Sequence, residues 1–207
     1  MRLLLVCHGQ TPANVAGSLD TLVPGPRLTA LGRRQAAALR ADLAAERIAG
    51  LYVSRLVRTH DTAAPLAAVR GLDPVPLAGL DEIAAGDLQG RTDHESALRY
   101  RGATQAWLQG RIDERMPGAE TGRAFLDRFD AAIAEILDRH RHDETVAVIG
   151  HGGAIRVWAG SRAENVSAEF AMAHHLPNTG MVVLESDTGN AWRALTWNGQ
   201  EVPGIGS

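Results

Sequence analysis

Residues Leu3 to Thr11 read LLLVCHGQT. Four aliphatic residues in a run this short, closed by glycine, predict a buried β-strand. The strand runs out on Cys7 and His8, and Gly9, Gln10 and Thr11 follow. A second stretch repeats the pattern. Thr145 to Gly153 reads TVAVIGHGG, a β-branched run that ends on Gly150, His151 and two glycines. In open α/β sheets, ligands bind beyond the carboxyl ends of the strands. If these two strands are neighbours, His8 and His151 face each other across one crevice. The glycine after each histidine lets a ligand come close to the backbone.

Outward from these two strands, the chain alternates strands with long helices. Thr29 is positioned as an N-cap, and Leu31, Ala38, Leu39, Leu43 and Ile48 recur at helical spacing. Residues 50–55, GLYVSR, predict a second strand, and residues 57–71 a helix stopped by Gly71. Residues 74–83, PVPLAGLDEI, predict a short strand and a turn. From about Ala84 to Thr121 the periodicity is lost and glycines are frequent, which predicts an inserted cap of short helices and loops. Residues 121–141 form a strongly amphipathic helical pattern. MVVLES (181–186) and AWRALTWNG (191–199) predict two final strands, with a hairpin around Asp187–Asn190. The Gly/Pro-rich tail to Ser207 is expected to be loosely ordered. The fold class is therefore α/β, three-layered, with a mainly parallel sheet and helices on both faces. We expect a single domain over 1–207, with the cap at about 84–121.

A chain of 207 residues that is 45% hydrophobic can bury one full core. A net charge of -3 argues against nucleic acid as a partner. The aliphatic run after Met1 is too short to be a secretory signal or a membrane span. One cysteine excludes an intrachain disulfide and a multi-cysteine metal site. The expected compartment is the cytosol, with no membrane partner. All 21 basic residues are arginine. An anion site here must be built from arginine, histidine, backbone N–H groups and neutral donors.

Two histidines in one crevice suit two chemistries. With Glu82 or an aspartate they could hold zinc, but no His-x-x-x-His pair on a helix supports that reading. His140 and His142, at the end of the amphipathic helix, fit a solvated last turn. Alternatively the site transfers a phosphoryl group. Neutral imidazole is a nucleophile, arginine grips phosphate oxygens in planar bidentate form, and a carboxylic acid protonates the departing alkoxide. His8, Arg58, His151 and Glu82 are of the right types for these tasks.

These residues stand in motifs. HGQTPAN (His8 to Asn14), RLTALGRRQA (Arg27 to Ala36), SRLVRTHDTA (Ser54 to Ala63), LDEIAAGDLQG (Leu80 to Gly90), PGAETGRAF (Pro117 to Phe125) and VIGHGGAIR (Val148 to Arg156) occur in that order. Together they resemble the histidine phosphatase superfamily, in the branch similar to cofactor-dependent phosphoglycerate mutases and their phosphatase relatives. The resemblance covers nearly the whole chain. It implies that His8 is the nucleophile, that Glu82 is the acid and then the base, and that Arg58 and His151 hold the phosphate. Cys7, Gly9, Thr11, Asn14 and Gly152 complete the phosphate-binding set. It implies no metal, no cofactor and a small phosphorylated substrate. The resemblance leaves the oligomeric state open, a dimer being one of the forms relatives adopt.

One position departs from the resemblance. The family places arginine directly before the nucleophilic histidine, and here Cys7 stands there. A thiol cannot replace a guanidinium fork, and one charge-assisted hydrogen bond is worth about 1.5–3 kcal/mol. Three readings follow. The pocket works with less charge, or Arg27, Arg55 or Arg91 enters it. The chain is a weak or inactive relative that binds an anionic ligand. Or Cys7 itself reacts, with a thiol pKa lowered by its neighbours. An adjacent strand residue would normally point away from His8 unless the chain is already turning.

The short cap argues for hydrolysis of a small phosphate monoester rather than a mutase-type isomerisation. Arg91, Arg99, Arg101, Arg111 and Arg115 in the cap could meet an acidic substrate or form a solvated face. Trp107 and Leu108 could line an apolar wall or pack the core.

Overall fold

Strand β1 (Arg2–Cys7) sends Leu3 and Leu5 to one face of the sheet and Leu4 and Val6 to the other, and all four are fully buried. The same alternation in β4 (Thr145–Gly150) divides Val146 and Val148 from Ala147 and Ile149. Strands buried on both faces need cover on both faces. In the computed structural model, described over residues 1–187 and 191–202, helices supply it. The pair α2 (Ala30–Asp42) and α3 (Val57–Arg70) covers the Leu4 and Val6 face with Leu39, Leu43, Ala63 and Leu66. On the opposite face lies an aromatic core. It is built from α4 (His94–Leu108), α5 (Gly122–Arg139) and α6 (Gly152–Arg162), with Trp107, Phe125, Phe129 and Trp158 at its centre.

Strands β2 (Ile48–Val53), β3 (Val75–Pro76), β5 (Met181–Glu185), β6 (Arg193–Trp197) and β7 (Gln200–Glu201) complete a sheet of order β3-β2-β4-β1-β5-β6-β7. The first four strands in that order are parallel and the last three are antiparallel to their neighbours. The three-layer α/β expectation holds. The two histidine-bearing strands are adjacent and parallel, with Cys7 opposite Gly150.

Several local expectations change. On α2 the buried stripe is Gly32, Ala36 and Leu39, continuing to Leu43, while Leu31 and Ala38 face solvent. Gly32 sets this rotation. A Cβ there would lie 2.1 Å from the Gln10 carbonyl oxygen, so only glycine lets the helix approach the loop after His8 this closely. The segment 84–121 holds a 3-10 turn (Gly86–Leu88) and one long helix, α4, rather than only short helices. The pattern hides α4 because most of its buried residues, Thr104, Ala106, Trp107 and Leu108, crowd into its last turns. Trp107 stacks on Phe125 and donates its ring N–H to the Glu114 carbonyl, so Trp107 and Leu108 belong to the core. His140 is not a solvated turn residue. Its ring lies between the Tyr52 hydroxyl (2.9 Å) and the Glu144 carboxylate (2.9 Å), while His142 is exposed. Strands β5 and β6 form the expected antiparallel pair. Residues 188–190, where the hairpin turn is expected, and the last five residues, expected to be loosely ordered, lie outside the described residues. No described helix is long and apolar enough to cross a membrane.

Candidate active site

The β1–β4 pairing carries on past the strands. The His8 amide donates to the Gly150 carbonyl at 3.0 Å, and this sets the rings of His8 and His151 edge to face, with centroids 5.3 Å apart. His8 Nδ1 lies 2.7 Å from its neighbour's carbonyl, Gly9 O. A carbonyl oxygen only accepts, so Nδ1 carries the hydrogen and Nε2 keeps its lone pair. Burial, aided by Arg58, pushes the His8 pKa down to about 3, so the ring is neutral at ordinary pH.

The loop that presents His8 is fixed on every side. The Gly9 amide donates to Thr62 Oγ1 at 2.9 Å, and the Gln10 amide donates to Gln35 Oε1 at 2.9 Å. Asn178 Nδ2 donates to the His8 carbonyl at 3.0 Å. Thr11 and Asn14 cap the short helix α1 (Pro12–Ala16) reciprocally.

His151 is bound in the opposite sense. Its Nε2 lies 2.8 Å from Ser54 Oγ, at the end of β2, while its buried Nδ1 has no protein partner. Burial first, then Arg58 and His8, hold its pKa well below the ordinary imidazole range. Arg58, on the first turn of α3, is 3% exposed. Its Nη2 donates to the Asp20 carbonyl at 3.1 Å, but Nε and Nη1 are buried without partners. Buried donors are normally satisfied. Unsatisfied arginine and histidine N–H groups beside a neutral His8 make a receptor for an anion.

Glu82 sits at the start of α6. Its Oε1 accepts from the amides of Ala154 (2.8 Å) and Ile83 (2.9 Å), and Oε2 accepts from Gly153 (3.3 Å). A Cβ on Gly153 would fall 2.9 Å from Oε1, which explains the glycine. Burial raises the Glu82 pKa above the usual carboxylate value, against the pull of these N–H donors and of Arg58.

Two adjoining cavities meet here. The larger, about 370 Å³, is lined by Cys7 and Gly152 among others, and the smaller, about 170 Å³, by Thr11 and Arg58. His8, Asn14, Glu82 and Tyr100 line both. Gly9 is buried behind the histidine rather than on a cavity wall.

Cys7 does reach the crevice, on the α6 side, and a Cβ on Gly152 would lie 3.4 Å from its Sγ. Burial, reinforced by Glu82, pushes its thiol up to about 12. The thiolate is thus scarce, which argues against the reactive-cysteine reading. None of the three arginines expected to compensate enters the crevice. Arg27 pairs with Asp61, Arg55 with Asp81 and Arg91 with Asp93. In the cap, Arg111 pairs with Glu114 and Arg115 donates to the Ala119 carbonyl, while Arg101 does line the larger cavity.

The sequence reading missed Tyr100, Arg156, His175 and Asn178, which also line it. Only Arg156 left a signal, as a lone charge inside the apolar run from Ala154 to Trp158.

Comparison with known proteins gives a consistent result. Residues 3–200 match the histidine phosphatase superfamily (branch 1). The PE-PGRS family protein PE_PGRS11 of Mycobacterium tuberculosis is 36% identical over 94% of this chain and 36% of its own length. A metal-independent phosphoserine phosphatase of Arabidopsis thaliana is 32% identical over 74% of this chain and 65% of its own length. The chain thus spans about a third of the first relative and just under two thirds of the second. Among solved structures, a mycobacterial glucosyl-3-phosphoglycerate phosphatase with VO3 superimposes with a TM-score of 0.80. It is 28% identical, over 95% of this chain and 98% of the other.

Proposed function

The chain belongs to the histidine phosphatase superfamily (branch 1), and from that premise we propose that it is a metal-independent phosphatase that hydrolyses a small phosphate monoester through a phosphohistidine. The observation that carries this reading is the hydrogen bond from His8 Nδ1 to the Gly9 carbonyl, which leaves Nε2 free to attack.

The steps balance on this chain's own residues. His8 Nε2 attacks phosphorus in line, the bond from phosphorus to the ester oxygen breaks, and Glu82 gives that oxygen its proton. Water then attacks the phosphohistidine. Glu82, now a carboxylate, takes the water's proton, the phosphorus–nitrogen bond breaks and phosphate leaves. A Glu82 pKa raised by burial suits the acid half of the cycle. Arg58 Nε and Nη1 and the hydrogen on His151 Nδ1 face the phosphoryl oxygens. With Ser54 Oγ as the donor to His151 Nε2, that hydrogen is kept on Nδ1. Thr11, Asn14 and Gly152 shape the pocket, and Gly9 acts through its carbonyl on His8 Nδ1. Cys7 stands where the family has arginine, so it adds shape but no charge. Fixed donors of this kind lower the barrier because they need no reorganisation as charge develops.

The test is phosphate release from a panel of phosphate monoesters, comparing wild type with His8→Ala. Release that disappears in His8→Ala is the expected result. Release that persists there, or is absent from both proteins, overturns the reading.

A further inference from the structure

Glu82 stands in a stretch outside every strand and α-helix, so no regular ladder satisfies its backbone groups. Side chains do so instead. Arg128, on α5, donates from Nη1 to the carbonyls of Gly79 (2.8 Å) and Asp81 (2.9 Å), and from Nη2 to the carbonyl of Glu82 itself (3.1 Å). Its Nε and Nη2 also donate to the Glu120 carboxylate, at 2.9 and 2.8 Å. A guanidinium has five N–H groups in one plane, and these contacts use them all. Glu120 Oε1 accepts in turn from the Ala84 amide at 3.3 Å, and Tyr100 donates its hydroxyl to the Ile83 carbonyl at 2.9 Å. The main chain is thus held at Glu82, Ile83 and Ala84 in succession.

Neither Arg128 nor Glu120 lines the cavities that His8 faces. Both line a separate cavity, together with Asp81 and Ala84. They stand away from the reacting atoms, so whatever they do for the reaction passes through Glu82. What they can set is the place of its carboxyl group, which spans from this held main chain to the amides of Gly153 and Ala154. The clamp itself is seated firmly. The Arg128 guanidinium lies 4.9 Å over the Phe125 ring of the aromatic core. A Cβ on Gly79 would run into the Arg128 carbonyl oxygen, so glycine there lets the loop come this close to α5. Glu120 belongs to the segment PGAETGRAF, which no step of the phosphoryl transfer uses.

We propose that Arg128 and Glu120 are positioning residues for the acid, and that together they clamp the main chain around Glu82 so that its carboxyl group meets the departing oxygen. The inference rests on the reading of Glu82 as general acid. An error of about 1 Å in placing a catalytic group can cost about 10²-fold in rate, so a loop without a ladder needs such a clamp. Lysine could not replace Arg128 fully, because an ammonium is a point charge with three donors and cannot span Glu120 and three carbonyls.

The test uses the leaving group. Glycerol 3-phosphate releases an alkoxide that needs a proton, whereas 2,4-dinitrophenyl phosphate releases a phenolate that does not. Measured as kcat/KM, which covers the steps up to the phosphohistidine, Arg128→Gln should lose about 10- to 100-fold on glycerol 3-phosphate and less than about threefold on the dinitrophenyl ester. Arg128→Lys should recover part of the loss. Equal losses on both esters would make Arg128 a general support of the fold, and no loss on either would make the clamp idle; each result overturns the inference. If Arg128→Gln does not fold, Glu120→Gln serves instead, since it keeps an oxygen toward Ala84 and weakens only the pairing with Arg128. It should show the same split at about threefold to tenfold, and its absence overturns the inference as well. Glu82→Gln separates the two readings. It should lose about 10²–10⁴-fold on glycerol 3-phosphate and little on the dinitrophenyl ester. If Glu82→Gln shows that split and the clamp variants do not, only the clamp falls. If Glu82→Gln shows no split, or wild type hydrolyses neither ester, the reading of Glu82 falls and the clamp with it.

Discussion

His8 and His151 begin from the same local design. Each follows a buried parallel strand, each is followed by glycine, and their rings meet edge to face. Yet they are tied by opposite nitrogens. His8 spends Nδ1 on the carbonyl of Gly9, in its own loop, and leaves Nε2 open, whereas His151 spends Nε2 on Ser54, from another strand, and leaves Nδ1 open. An imidazole with a free lone pair attacks; one with a free N–H donates. In the mechanism proposed above two like motifs thus take unlike parts, and the choice is made by what each ring is bonded to behind the site.

The comparison is most exposed to single substitutions of the rings. His8→Ala should lower turnover by at least about 10⁴-fold and abolish labelling of the protein by a radioactive phosphate ester. His151→Ala should lower turnover by about 10²–10³-fold while a labelled phosphohistidine still forms. Labelling that survives in His8→Ala but not in His151→Ala would exchange the two roles.

The pH profile sharpens the contrast. His8 must be neutral to attack, and with its pKa pushed down to about 3 the rate of the free enzyme should not fall as pH drops through 6.5. On the alkaline side, kcat/KM should fall tenfold per unit once Glu82 loses its proton, beginning above the ordinary carboxylate pKa because burial raises it. An acid limb centred near 6.5 would mean that His8 is solvated in the working enzyme. Stability follows the same sign. Between pH 6.5 and about 3 the unfolded chain takes a proton that folded His8 refuses, so wild type should lose stability as pH falls through this window. His8→Gln should lose less over the same range in thermal melts.

Smaller effects test the supports. Ser54→Ala removes the group that holds His151 in its tautomer, and turnover should drop about fivefold to tenfold, with KM for phosphate esters little changed. A Ser54→Ala enzyme with wild-type turnover would show that the tautomer does not depend on this bond. Cys7→Ser should change turnover less than about twofold. Alkylation at pH 8 should be slow, because burial pushes the thiol up to about 12. Rapid alkylation of native protein would restore Cys7 to the chemistry.

Much of the fold was legible because it depends on local pattern. Runs such as Leu3–Val6 and Val146–Ile149, short and closed by glycine, read as doubly buried strands, and Thr29 and Gly71 mark helix ends by backbone chemistry alone. The less legible parts depend on distant partners. Leu31 looked buried and is exposed, because Gly32 must abut Gln10. Helix α4 was obscured because its contacts with the core are gathered at one end. His140 looked solvated, but Tyr52 holds it from β2, far away in sequence.

The site divides in the same way. His8, Arg58, Glu82 and His151 could be named from ordered motifs, and the fold gathers them at one crevice. Arg156 could not, since a single arginine in a helix gives no sign of which cavity it lines. By itself, the sequence determined two histidine-ended strands, the sign of the charges available to an anion, and the absence of charge at Cys7. Only the tertiary structure decided which ring nitrogen stays free on each histidine, that Glu82 meets the start of α6, and that Arg156 rather than Arg27, Arg55 or Arg91 faces the crevice. The physical reason is that strand and helix formation respond to neighbours a few residues away, whereas a tautomer, a pKa and an unpaired buried cation are set by groups brought together only when the layers close.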